Sequence, residues 1–173
     1  RLAPVDAPIL RLAPPEVLLA RGPQIVEATA GGELHDVKPF TPEVRAEIDN
    51  ELVAKSIAFM RRETTAGKPF FLYLPFSMGH IPNLPSSEFK GKSRIGAYGD
   101  TLMEGDHHVG QILDALKQLG VDDNTLLVFA SDNGPSGEAF REYGNEGTPD
   151  MGNPGPFRGE LGDSSEGSIR TAA

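Results

Sequence analysis

Asp132-Asn133 stands directly behind an unbroken apolar run, Thr125-Leu126-Leu127-Val128-Phe129-Ala130. Carboxylate and amide oxygens are hard donors of the kind that Ca²⁺ and Mg²⁺ accept. In an open parallel sheet, ligands gather at the carboxyl ends of the strands, which is where this pair would lie. The competing reading is a plain turn, because Ser131-Asp132-Asn133-Gly134-Pro135 consists of turn-forming residues. Two oxygen donors do not make a cation site, so further carboxylates have to come from elsewhere.

His80 lies in Met78-Gly79-His80-Ile81-Pro82, shortly after a second apolar run, Phe70-Phe71-Leu72-Tyr73-Leu74. Two parallel strands would place His80 and Asp132 on one edge of the sheet. His80 then suits a catalytic or anion-contacting role, against the alternative of a loop histidine without one. His107 and His108 adjoin Asp106 on a predicted helix. Sequence neighbours do not share a helix face, so at least one of the two should be solvated. His35 falls in the irregular opening and has no assigned role. Arg158 and Arg170 can bind an anionic group, since guanidinium forks match oxyanions. Equally, Glu160–Arg158 or Glu166–Arg170 ion pairs can hold the loop together.

These residues need a scaffold, and its grammar is helix, strand, loop, helix, strand. Thr41-Pro42-Glu43 opens the first helix with an N-cap, a first-turn proline and an acid at the positive end of the dipole. Val44, Ile48, Leu52, Val53, Ile57 and Met60 form its apolar stripe, and Arg61, Arg62 and Gly67 close it. The run 70–74 reads as a strand buried on both faces. Residues 75–97 form a long connection around His80, and a loop of that length in a compact domain is usually functional. A second helix is expected from about Asp100 to Leu119, with Leu102, Met103, Val109, Ile112, Leu113, Leu116 and Leu119 on its buried side and Gly120 as its stop. The run 125–130 is a second buried strand, so a parallel sheet with right-handed crossovers follows. Residues 1–40 read as an irregular, loop-rich segment with at most a short strand near Gln24–Glu27, and residues 41–173 as the domain proper.

Composition agrees with loops on a modest scaffold. Gly 20 and Pro 15 in 173 residues make about a fifth of the chain, against roughly 12% in average proteins. The excess is densest after Ser131, as a glycine-rich rim laid against the sheet. A net charge of −9 argues against a nucleic-acid or anionic-lipid coat. No run reaches the ~20 apolar residues of a membrane span. The cysteine count of 0 removes disulfides, thiolate metal sites and a cysteine nucleophile.

The order of motifs resembles the type I sulfatases. It begins with Pro69-Phe70-Phe71-Leu72-Tyr73, His80-Ile81-Pro82, Tyr98-Gly99-Asp100, Asp106 and Val109-Gly110. It continues with Asn124-Thr125-Leu126, Ser131-Asp132-Asn133-Gly134, Arg158-Gly159 and Glu166-Gly167-Ser168-Ile169-Arg170, over roughly residues 15–173. The resemblance implies an alkaline-phosphatase-like α/β sandwich with a mostly parallel central sheet. It also implies hydrolysis of a small-molecule or glycan sulfate ester, with one divalent cation, usually Ca²⁺ and alternatively Mg²⁺. Asp132 and Asn133 match cation ligands, His80 matches the histidine that contacts sulfate and helps the leaving group depart, and Arg158 is a further catalytic candidate. The family's nucleophile, a formylglycine from a Cys/Ser-x-Pro-x-Arg motif, has no counterpart here. It and the first pair of acidic ligands are expected upstream of residue 1, so the chain reads as part of a catalytic domain truncated at both ends. Leu161 stands where the family often has a lysine. Two rivals remain at this stage: a phosphatase or phosphonate hydrolase of the same superfamily, and a non-catalytic relative that keeps the fold. The first would need two zinc ions, for which His35, His107 and His108 are poorly placed.

Overall fold

The computed structural model describes residues 22–135 and 152–171. The chain divides into two compact units with the boundary between Val44 and Arg45. In the first unit, β1 (Gln24–Glu27) pairs antiparallel with β2 (His35–Pro39). Gln24 sits opposite Pro39 and Glu27 opposite His35, with an irregularity between Ile25 and Val26. The turn closes where Gly32 N–H donates to Thr29 O at 2.8 Å, and Gly31 takes a φ of 74° there. The expected strand at Gln24–Glu27 is present. Its partner, His-Asp-Val-Lys-Pro, has too little apolar alternation to be read from sequence, and the Gly31-Gly32 turn was its only signal.

In the second unit two helices carry the core. Helix α1 (Pro42–Thr65) starts as the sequence predicts, with Val44 N–H donating to Thr41 Oγ1 at 3.3 Å. A hydrogen bond from the same Thr41 side chain holds the Glu43 carboxyl below its ordinary range. Both long helices end alike. Gly67 and Gly120 take left-handed φ values of 65° and 67°. Lys68 N–H reaches back to Glu63 O at 3.0 Å, and Val121 N–H to Leu116 O at 3.1 Å at the end of helix α2 (Ala97–Leu119). These 6→1 bonds satisfy carbonyls that a helix end leaves open.

Val53 and Met60 of α1 pack with Ile112, Ala115 and Leu116 of α2, and Phe70, Leu72, Leu74 and Phe76 lie against this cluster. Phe59 meets Phe70 edge-on with ring centroids 5.9 Å apart. The buried stripes differ from the expected ones. On α1 the stripe is Asp49, Val53, Ser56, Met60, and on α2 it includes Thr101, Glu104, His108, Ile112 and Ala115. Leu102, Met103 and Leu113 face outward instead. Each stripe keeps helical spacing but mixes polar with apolar residues: polar and apolar positions alternate on α1, while the α2 stripe is polar in its first half and apolar in its second.

The two predicted strands are the largest local difference. Residues 70–76 alternate strictly, with Phe70, Leu72, Leu74 and Phe76 against the helices and Phe71 and Tyr73 88% and 78% exposed. Leu126 and Val128 are 91% and 73% exposed. Segment 70–76 alternates as a strand does, whereas Leu127 and Phe129 are exposed along with Leu126 and Val128; among the described residues neither segment has a ladder partner, so neither is covered on both faces. After α2, a 3-10 turn (Asp122–Asn124) leads into the second of these segments.

Two glycines of α2 make a contrast. A Cβ at Gly105 would stand 1.5 Å from Met78 Sδ, whereas one at Gly110 would meet nothing within 4 Å. Gly105 therefore admits the Met78 side chain onto the helix, while Gly110 carries only the propensity cost of glycine. Gly110→Ala should stabilise the chain by about 0.5–1 kcal/mol in urea unfolding. Gly105→Ala should destabilise it by about 1–3 kcal/mol, since Met78 must be displaced. Equal effects from the two would refute the account.

His108 is completely buried, donates from Nε2 to Asn50 Oδ1 at 2.9 Å, and stacks on Phe76 with centroids 5.8 Å apart. Burial depresses its pKa below 6.5. The Glu104 and Asp49 carboxylates oppose that, neighbouring His107 adds to it, and Glu88 opposes it further. The unfolded chain takes up this proton near pH 6.5 and the folded chain does so only at lower pH. Stability from this group is thus full above pH 6.5 and is lost as pH falls through the folded value. Urea midpoints at pH 7.5 and 5.5 should show a drop that is smaller in His108→Gln.

Candidate active site

The connection between Ser77 and Ser93 has almost no regular structure, so its backbone donors need partners outside it. Buried carboxylates on the helices supply them. Ser77 N–H donates to Asp49 Oδ1 and Oδ2 at 3.0 Å each, and Ser77 Oγ donates to Oδ2 at 2.8 Å. Ser86 N–H donates to Glu104 Oε2 at 3.0 Å. Gly91 and Ser93 N–H donate to Asp100 Oδ2 and Oδ1 at 2.7 and 2.6 Å. Burial pushes the Asp100 carboxyl up, but the Ser93 and Gly91 donors outweigh it and hold its pKa below the ordinary value.

His80 projects from this fastened loop and is exposed. Its N–H donates to Ser77 O at 3.3 Å, and its Nδ1 lies 2.5 Å from Ile81 O. A backbone carbonyl only accepts, so Nδ1 carries the hydrogen and Nε2 is left to exchange a proton with a substrate. Arg45 reaches the same turn, with Nη2 donating to Ser77 O at 2.9 Å and to His80 O at 3.5 Å, and Nη1 donating to Ser77 Oγ. A small cleft beside it is lined by Arg45, Asp49, Ser77, Met78, Thr101 and Glu104.

The Asp132–Asn133 turn is tied to the later glycine-rich segment. Gly134 N–H donates to Ser168 O at 2.7 Å, Leu161 N–H to Pro135 O at 2.8 Å, and Gly167 N–H to Arg158 O at 2.9 Å. A Cβ on Gly134 would stand 2.0 Å from Gly167 O, and one on Gly167 would stand 2.3 Å from Gly159 O. Backbone packs on backbone here, which only glycine permits. Asn133 Nδ2 donates to Gly134 O at 2.7 Å, so the amide oxygen is the atom available to a cation. Asp132 is exposed. The donor chemistry fits a hard divalent ion, as two of the 6–8 oxygens such ions take. Among the described residues no group of three or more acidic or histidine side chains forms a metal cage.

Helix α3 (Glu166–Ile169) ends this segment. Arg170 Nε pairs with Glu166 Oε2 at 2.7 Å and its guanidinium covers the Phe157 ring at 4.7 Å, so Arg170 follows the loop-holding alternative. Arg158 is exposed and has no ion pair among the described residues. Asp132, Asn133 and Arg158 are thus brought onto one locked element. His80 stands on another, and no hydrogen bond among the described residues joins the two. Part of the predicted glycine-rich rim, residues 136–151, lies outside the described residues. The buried carboxylates Asp49, Asp100 and Glu104 and the buried His108 were missed by sequence reasoning. Their one signal is register: Asp49 precedes Val53 by four residues, and Glu104 and His108 precede Ile112 by eight and four.

A family model described as Sulfatase matches residues 27–171. An N-acetylgalactosamine-6-sulfatase of Canis lupus familiaris is 35% identical over 128 residues, covering 74% of this chain and 23% of that protein. A steryl-sulfatase of Mus musculus is 37% identical over 123 residues, covering 71% and 19%. A solved structure from work on the metabolism of multiple glycosaminoglycans by Bacteroides thetaiotaomicron aligns with a TM-score of 0.62 at 31% identity. It covers 81% of this chain and 29% of that one. The chain therefore spans about a fifth of the length of the curated relatives it matches.

The glycine lock makes a direct prediction. Gly134→Ala should cost about 1–3 kcal/mol of stability, as overpacking does. By hydrogen exchange, the amides of Gly134 and Gly167 should lose protection together while those of α1 keep theirs. Unchanged protection at Gly167 would show that the two segments are not interlocked.

Proposed function

The chain belongs to the sulfatase family, and on that footing we propose that the protein carrying it hydrolyses a sulfate monoester to an alcohol and inorganic sulfate. The observation that supports this most is the locked element. It carries two hard oxygen donors, Asp132 and Asn133, together with the guanidinium-bearing residue Arg158, which has no ion pair among the described residues. A cation and a cationic side chain are what a sulfate's oxygens need as charge builds on them. Residues 41–173 are assigned to the catalytic domain, with 1–40 as a separate loop-rich segment. The relatives act by name on an N-acetylgalactosamine 6-sulfate and on steryl sulfate, and the substrate here is placed in the same broad class of glycan or small-molecule sulfate esters.

Asp132 and the Asn133 amide oxygen would hold the divalent cation, Ca²⁺ before Mg²⁺, which when bound draws charge from the sulfate oxygens. The attacking oxygen in this family comes from a formylglycine, supplied from outside these residues. His80, with Nδ1–H committed to Ile81 O, would in its imidazolium form pass the Nε2 proton to the departing alkoxide as the S–O bond breaks, and so return to the neutral ring protonated at Nδ1. Arg158 orients the anion.

The test is sulfate release from an aryl sulfate by the full-length protein carrying its matured nucleophile. Asp132→Ala should lower kcat by roughly 10²–10³, the usual loss of one preorganised charge-stabilising group. Chelation should abolish turnover and Ca²⁺ restore it. Phosphate esters cleaved with two bound zinc ions, and no sulfate released, would overturn the reading.

A further inference from the structure

We infer that Asp49 and Arg45 are positioning residues that clamp the turn carrying His80 to α1, an inference that rests on the role of His80 proposed above. Asp49 is only 8% exposed, in the middle of a helix and on its buried stripe. A carboxylate there is costly unless its oxygens are met by donors. Both oxygens accept from a single residue, Ser77, through its N–H and its hydroxyl. Arg45 lies one helical turn earlier and closes on the same serine from the other side. It binds the hydroxyl through Nη1 and the carbonyl through Nη2.

Every polar group of Ser77 is therefore held by α1. Ser77 O also receives His80 N–H, while Arg45 Nη2 reaches His80 O. The backbone of His80 is thus tethered at both its N–H and its carbonyl. With Nδ1 tied to Ile81 O, the ring is left little freedom beyond presenting Nε2. The same three residues would be surplus if the turn only closed a loop, since Glu104 and Asp100 already fasten it further along.

A clamp on a proton donor has a signature that a fold-maintaining contact lacks. Its removal should slow substrates with poor leaving groups more than those with good ones. In the full-length matured protein, Asp49→Asn should lower kcat for phenyl sulfate about ten- to a hundredfold, the scale of a misplaced catalytic group, with little change in KM. The loss should be several-fold smaller for 4-nitrophenyl sulfate. His80→Ala should show the same preference, and Asp49→Asn should add almost nothing in that background. NMR provides a readout independent of turnover: the His80 ring signals should shift and broaden in Asp49→Asn while those of His35, on β2, stay. If Asp49→Asn does not fold, Ser77→Ala weakens the clamp from the loop side by removing its hydroxyl contacts to Asp49 and Arg45 while the backbone contacts stay, and the same substrate preference is expected of it at smaller size.

Equal slowing of both substrates, or losses that multiply with His80→Ala, would overturn the positioning role and leave the role of His80 standing. If His80→Ala itself leaves both rates unchanged, His80 has no part in proton delivery, and the inference falls with that reading.

Discussion

A long loop with no ladder of its own can stay close to a protein only if its backbone N–H groups find acceptors. Here they find carboxylates. Asp49, Glu104 and Asp100, all buried, accept from Ser77, Ser86, Gly91 and Ser93. Each pairing removes two penalties at once, the desolvated donor and the desolvated charge. The helices are thus more than a hydrophobic base. Their buried stripes carry polar residues where the loop brings unpaired donors, as at Asp49 and Glu104, and apolar ones where segment 70–76 covers them, as at Met60 and Ile112.

The second device is the absence of side chains. Met78 lies on α2 only because residue 105 is glycine, the turn after Ser131 meets the Arg158–Ser168 segment only because residue 134 is glycine, and that segment folds on itself only because residues 159 and 167 are glycines. A glycine inside a helix or a rim costs conformational entropy. The return is backbone contact at a distance no Cβ tolerates, and with it a fixed place for Asp132 and Asn133.

Much of this was legible in the sequence. Thr41-Pro42, Gly67 and Gly120 announced both long helices, because caps are local chemistry and need no tertiary partner. The family order of motifs carried the fold class, to which the structural match at 31% identity agrees. What could not be read were the polar members of each stripe. A search for apolar residues at helical spacing passes over Asp49, Glu104 and His108, because nothing local shows that their partners, Ser77, Ser86 and Asn50, come from segments distant in sequence. The same applies to β2, whose pairing comes from a glycine turn rather than its own alternation. The runs 70–74 and 125–130 were correctly seen as apolar, but covering both of their faces requires strands that the described residues do not contain.

Among the described residues, Phe71, Tyr73, Leu126 and Val128 are turned to water on segments that pair with no other strand. Such rows are templates for pairing with another copy of themselves. The opposing factor is long-range: a net charge of −9 keeps copies apart as long as it is felt across the gap between them. Its reach shrinks from about 30 Å at 0.01 M salt to about 8 Å at 0.15 M. Taken as an isolated piece, this sequence would therefore associate more readily as salt is added.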